Sequence, residues 1–581
     1  MTETVWYAPR TVQEEYKRGT EFKNNFGTRG MYEQNRINER FYAGDQWHGA
    51  SVGNDRPLVR YNVIKRIGEY KQAVIGASPV AVNFSADGVP NTVDIAKRVQ
   101  RIREEVARNP VGGLAEVPYI GGDVIPTTEE VNLVMSAMSD YFRVQSERLQ
   151  FDDKKERVLR NAYNAGTGVL YTYWDPQAKT GLYADELRRT PIMGDIACEV
   201  LDIENVYFGD PTNDDVQTQP FIIVANRQTV DSVRREAKAN GVADEEIARI
   251  TADDSTEFMA GELGADGDKN GTAKVTVLTK FYKEWNDIGT AYTVKAVKVT
   301  DKVTVRPPWD TGLRRYPFAV YLWERRRNCA YGDSEVTYLI PNQIAINRMI
   351  TASVWAVMVM GMPIMVVDGD AVTGPVSNEP GQIITVNGVE GDVRQVAGFL
   401  NPPQFSPAFS DNVEQMIAQT LAQSGATNAA LGEVRPDNAS AIIAVREAAT
   451  MPLTMQKNRF YTFVEDVARI WADYWIANYG RRALKVVEED GTWYMPFDGE
   501  RYRDLLITTR IDVGTSNLWS EAQSIATLDN LFDRNVLDVS QYLSRLPRGT
   551  VPNVEGLLQE LKNRPMEEVL TNERNDGHDR L

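Results

Sequence analysis

The chain has 581 residues, 42% of them hydrophobic and 25% charged, with 81 acidic against 64 basic side chains and a formal charge of −17. A chain of this length outgrows a single hydrophobic core, so several domains or several small cores are expected. The acidic balance excludes a protein that grips nucleic acid through a broad basic surface, because phosphate neutralisation needs clustered Lys and Arg; a protein past which DNA slides without sticking is still allowed.

The start, "MTETVWYAPRTVQEEYKRG", lacks the basic and apolar regions of a secretory signal, which places synthesis in a reducing cytosol. Residues 8–45 are polar, with aromatic residues at helical spacing, and end in "RFYAGDQW". "NVIKRIGEYKQAVIGASP" then sets Val63, Ile67, Tyr70 and Val74 on one helical face. Ser78-Pro79 closes that helix, and "VAVNFSA" alternates as a strand does. After a Gly/Pro-rich loop (109–126), Thr127 to Ala165 is helical and charged, with Val131, Met135, Met138, Phe142 and Leu149 as its apolar contacts. "GTGVLYTYWDP" switches to strand, and "GDIACEVLDIENVYFGDP" is its expected partner. It runs into a turn that carries Asp210, Asp214 and Asp215.

Helix resumes over 229–250, with Thr229 as N-cap and Gly241 as a stop. Residues 251–273 are acidic and Gly-rich, a loop pattern. Four strands follow: "KVTVLTKFYKEW", "AYTVKAVKVT", "KVTVRPP" and "YPFAVYLWER". A long helix begins at Asp333 or Ser334 and contains Pro341. Residues 350–367 are apolar enough to imitate a membrane span, but Gly361 and Pro363 interrupt them. They read as a buried helix ending near Met360 and a short buried strand. "SDNVEQMIAQTLAQSG" is a further helix. The polar loop "ATNAALGEVRPDNAS" comes next, then a helical pattern from Ala441 to Tyr479 that Pro452 bends. "IDVGT" is a short strand, "NLWSEAQSIATLDNLF" and the residues after it make two or three helices, and the tail is polar.

Most catalytic constellations are missing. Cys198 and Cys329 lie in separate segments, too few for a disulfide framework or a Cys-based zinc site, and read as small buried hydrophobes. His48 and His578 are the only histidines, and no phosphate-cradling G-x-x-x-x-G-K-[ST] run occurs. Asp210, Asp214 and Asp215 could hold a hard cation, as could "DGDAVTG" from Asp368, which lacks the distal Glu of a calcium loop. Turns favour Asp for hydrogen-bonding reasons alone, and that reading is preferred. Glu488, Glu489 and Asp490 read as a solvated charge run, and Trp47 with His48 as packing.

The order of segments carries more than any motif. Strands ending in "DIENVYFGDP", a β-rich block, then "YGDSEVTYLIPNQIAINR" opening a long helix resemble a tailed-bacteriophage portal protein, the head-to-tail connector. "ERFYAGDQW", "NVIKRIGEYKQAVIGASP", "GEVRPDNASAIIAVREAATMPL" and "IDVGTSNLWSEAQSIATLDNLF" agree with that family, so the resemblance covers roughly residues 35 to 565. It is closest to podovirus-like portals without a long C-terminal barrel.

The resemblance implies an α+β, mainly helical subunit with wing, stem, clip and crown, assembled as a ring, usually of twelve copies, around a tunnel for double-stranded DNA. It implies no cofactor and no catalytic or metal residue. The virion portal vertex would be its location, after assembly in the host cytoplasm. Partners would be the major capsid protein and a scaffold, the terminase large subunit, then head-completion or tail adaptor proteins; no membrane is involved. By the same resemblance 1–24 would be an N-terminal arm, 25–228 and 362–515 the wing, 229–273 a first stem helix and acidic loop, 274–325 the clip, 326–361 the second stem helix, 516–566 the crown and 567–581 a tail. The loop 424–440 would approach DNA through Asn428, Arg435 and Asn438, and Gln343, Asn347 and Trp355 would pack the stem. Three other readings stay open: another virion structural or adaptor protein, a metal-dependent nuclease using Asp210 and Asp214, and a membrane pore built on residues 350–367.

Overall fold

The computed structural model describes residues 7–47, 57–77, 81–87, 128–183, 187, 189–253, 273–285, 292–360, 364–367, 370, 372–373, 385–386, 397–400, 407–426, 451–488, 491–502, 506–512, 518–534 and 537–545. Its helices are α1 Pro9–Asn24, α2 Met31–Ala43, α3 Val63–Gly76, α4 Thr128–Arg148, α5 Phe151–Ala165, α6 Val230–Ala239, α7 Asp244–Ile247, α8 Glu335–Met360, α9 Pro407–Ser424, α10 Thr454–Asn478, α11 Leu518–Asp533 and α12 Val539–Arg545. The strands are β1 Ala81–Asp87, β2 Thr167–Tyr183, β3 Pro191–Leu201, β4 Val206–Phe208, β5 Phe221–Thr229, β6 Lys274–Trp285, β7 Tyr292–Val299, β8 Thr304–Asp310, β9 Phe318–Leu322, β10 Ile364–Val367, β11 Val372–Thr373, β12 Thr385–Val386, β13 Ala397–Leu400, β14 Arg481–Glu488, β15 Gly491–Asp498 and β16 Leu506–Asp512. Every ladder among the described residues is antiparallel, so the chain is α+β, without the parallel sheet of an α/β fold.

Two sheets dominate. Strands β4-β5-β6-β7-β8 form one in chain order, and β3-β2-β9 the other. The period-2 alternation of strands explains why "FIIVA" in β5 is apolar without interruption. Ile222 and Val224 face the main core with Phe281, Val294 and Ala296, while Ile223 and Ala225 face a second core with Val12 and Tyr16 of α1. A third core joins Val230, Val233 and Ala237 of α6 to Val275, Val277, Val303 and Val305. Among the described residues there is thus one large core with two small ones beside it.

The 274–325 block is not one unit. Its first three strands extend the sheet from β5, β6 pairing with β5, β7 with β6 and β8 with β7, so the boundary drawn at 228–229 falls inside a strand of the same sheet. Its fourth strand, β9, joins β2 in the other sheet. The link between distant segments is cross-strand pairing, which hydrophobic pattern alone does not specify. "VAVNFSA" likewise pairs with β16, more than four hundred residues away in sequence.

Local chemistry fixes several ends. The Thr229 hydroxyl accepts from Ser232 N, and α6 closes with Gly241 at φ +78°. Val242 N donates to Ala237 O and Gly241 N to Lys238 O, a complete Schellman turn. The 229–250 pattern is therefore two helices, α6 and the short α7. Thr127–Ala165 is also two, broken where Gln150 adopts φ 51°. Residues 441–450 lie outside the described residues. Pro452 sits in a 3₁₀ turn, Met451–Leu453, ahead of α10 and does not bend it.

Candidate interaction surface

The turn after β4 is built by its own side chains. Gly209 N donates to Phe221 O at 2.9 Å, and a Cβ at Gly209 would lie within 3.0 Å of Pro220 and Phe221. Asp210 Oδ1 accepts from Thr212 N at 3.0 Å and from Thr212 Oγ1 at 2.6 Å. Asn213 Oδ1 accepts from Asp215 N, and Asp215 Oδ1 from Gln217 N. Gln219 Oε1 accepts from Asp210 N while Gln219 Nε2 donates to the carbonyls of Asp210 and Asn213. Asp210 and Asp215 thus act as turn formers. Among the described residues no three His, Cys, Asp or Glu side chains converge as a metal site would need.

Helix α8 is the longest described helix, and its two faces differ. Ser334 Oγ accepts from Val336 N at 3.1 Å and donates to Tyr163 O, so Ser334, not Asp333, is the side chain that caps it. Glu335 follows: one carboxylate oxygen meets Lys71 Nζ at 2.6 Å and the other accepts from Trp323 Nε1 at 2.9 Å, all three side chains buried. Further along, Gln343, Asn347 and Thr351 recur every four residues and form a polar ladder on the inward face. Gln343 Oε1 accepts from Val63 N and Ile64 N, the first two donors of α3. Gln343 Nε2 donates to Tyr61 O and to Asn347 Oδ1, Asn347 Nδ2 donates to Gln46 Oε1 at 2.6 Å, and Thr351 Oγ1 accepts from Val59 N. The ladder replaces water for backbone groups that burial would otherwise leave unpaired, an omission costing about 1–3 kcal/mol each.

The opposite face of α8 carries Tyr338, 60% exposed, with Pro341, Arg348 and Ala352 exposed along it. At the far end of the helix Val357 and Met358, each seven residues on from Ile350 and Thr351 of the inward stripe, are 58% and 52% exposed. Of "VWAVMVMG", expected as buried helix, Val354, Trp355 and Ala356 are half-buried while Val357 and Met358 reach solvent within one chain. No described helix is long and apolar enough to cross a membrane.

Of the residues singled out for stem packing, Gln343 and Asn347 come together in the ladder, on the face turned toward their own subunit. Trp355 is half-buried two turns further on. Asn428, Arg435 and Asn438 lie outside the described residues, as do His48, Asp368, Glu489, Asp490 and most of the loop 251–273. Trp47 packs and donates to Val59 O at 3.0 Å. Burial pushes the Cys198 thiol up to about 11 and also raises that of Cys329; Cys329 is buried, whereas Cys198 is half-buried.

Sequence reasoning missed the Lys71–Glu335–Trp323 cluster. It also misplaced the inner face of α3, which is Val63, Ile64, Ile67, Lys71 and Ile75, with Tyr70 and Val74 only half-buried. The signal was Lys71 itself, four residues from both Ile67 and Ile75 on the apolar stripe, because a lysine there needs a buried partner. The partner's position, 264 residues away, is not in the pattern.

No protein-family model matches this chain, and no curated protein matches it.

Proposed function

We propose that the chain is a portal protein: the subunit of a ring at one capsid vertex through which double-stranded DNA is packaged and later ejected. The order of segments supports this reading, and the observation that carries it furthest is the exposed apolar end of α8, Val357 and Met358. A long helix with its inner face fixed by a fully bonded polar ladder and with Val357 and Met358 in solvent at its far end is suited to a second copy of the chain. A head-to-tail contact of that kind repeats around an axis and closes into a ring, usually of twelve in this family. The net charge of −17 fits a conduit, since an acidic wall repels phosphate and leaves translocating DNA few places to stick.

On this reading the ring contacts the major capsid protein and a scaffold during assembly, the terminase large subunit during packaging, and head-completion or tail adaptor proteins afterwards. ATP hydrolysis belongs to the motor and not to this chain. Native mass spectrometry of the full-length protein tests the proposal: a mass near twelve times 65.3 kDa is expected. A compact dimer that cleaves DNA only with divalent metal would overturn it.

A further inference from the structure

Residues 325–327, "RRR", are the only run of three basic residues in this acidic chain. All three are exposed on the loop between β9 and α8, and so are Glu324 and Asn328 beside them. The loop is held at both ends. Trp323 N donates to Gly166 O and Asp333 N to Glu324 O, Ala330 N donates to Pro211 O of the Asp-rich turn, and Gly332 N donates to Thr167 Oγ1. Cys329 and Tyr331 are buried beneath it. Asn328 turns the chain at φ 48°, one of two described non-glycine residues with positive φ, a conformation that Asn tolerates better than most side chains.

The three guanidiniums are not equivalent. Arg326 lies over the Phe26 ring at 4.7 Å and 3.8 Å from Asp333, so it is used inside the subunit. Among the described residues Arg325 and Arg327 have no carboxylate partner. Unpaired arginines flanking a stacked one, on a loop pinned to the core, form a preset pair of phosphate contacts. The surrounding surface is polar, with no exposed apolar anchor in 324–328, which is unlike the centre of a protein–protein interface and like a solvated phosphate-tracking site.

We propose that Arg325 and Arg327 contact the phosphate backbone of a nucleic acid, independent of its sequence. That the nucleic acid is duplex DNA rests on the portal reading. Two contacts on an otherwise acidic chain give weak, strongly salt-dependent binding, which suits a polymer that must keep moving.

The test is binding of a fluorescent 30-base-pair duplex to the full-length protein between about 50 and 200 mM salt, comparing the wild type with R325Q/R327Q. The slope of log affinity against log salt is expected to fall by about 0.9 for each guanidinium removed per bound protomer, whatever the duplex sequence. An unchanged slope, or a wild type that binds an acidic peptide but no DNA, overturns the proposal. Both substitutions are on exposed side chains, and an unchanged melting temperature checks the fold. Ring mass measured on the same samples separates the two readings: rings with an unchanged slope refute the loop contact and leave the portal reading, whereas a changed slope without rings does the reverse.

Discussion

Lys23 is fully buried, and its three N–H donors reach the carbonyls of Ile203, Glu204 and Val206 at 2.7, 2.9 and 2.7 Å. The ammonium also lies 3.7 Å from the Tyr207 ring centroid, and burial holds its pKa well below the ordinary lysine value. This clasp ties α1 to the 3₁₀ turn Ile203–Asn205 ahead of β4. Beside it burial, then Asp202, pushes the Glu204 carboxyl up to about 7, with Asn35, Lys23 and Arg36 opposing. A carboxyl whose folded pKa is raised contributes stability that is complete below its unfolded value and lost as pH rises through the folded one. Above pH 7 the cost of ionising Glu204 in place is on the order of 3 kcal/mol. Glu204→Gln is therefore expected to raise the melting temperature at pH 8.5 and to change it little at pH 5. Equal shifts at both values would show that burial of charge is not the cause. The Lys71–Glu335 pair makes a second case. Lys71→Met should cost about 3–5 kcal/mol by leaving a buried carboxylate with only Trp323, while Lys71→Met with Glu335→Leu should recover part of that. Urea unfolding of both variants checks it, and a neutral single substitution would contradict it. Neither residue pairing was legible in the sequence, because a pairing of charges depends on which distant segments meet.

At the scale of elements, far more was legible. Helices, strands and caps follow from periodicity and from Thr229, Gly241 and Ser334, whose chemistry is local. The faces were harder. Val357 and Met358 were expected inside because they are apolar, yet they are exposed, since hydropathy says that a side chain needs cover without saying which chain supplies it. If the cover is a neighbouring copy, V357D/M358D should leave the subunit folded and abolish rings, because two charges would be desolvated at each interface. Circular dichroism with native mass spectrometry checks this pair of outcomes. Rings persisting in the double variant would remove the far end of α8 from the interface.

At the scale of the whole molecule, chain length announced several cores, and the three found sit on the two faces of one sheet and around it. The α+β class was expected from the resemblance, and the antiparallel ladders of the described residues agree with it. The joining of β5 to the β6–β8 meander, of β9 to β2 and of β1 to β16 was not, because each is set by long-range pairing. The tunnel-loop residues Asn428, Arg435 and Asn438 were named from resemblance alone and lie outside the described residues.

The most direct measurement is an electron-microscopy reconstruction of the full-length protein produced together with its capsid and scaffold proteins. The account expects a closed ring of about twelve subunits around an open channel, with Val357 and Met358 at the end of each α8 buried against the next subunit. A monomer or dimer under those conditions, or a ring in which that end of α8 stays in solvent, would contradict it.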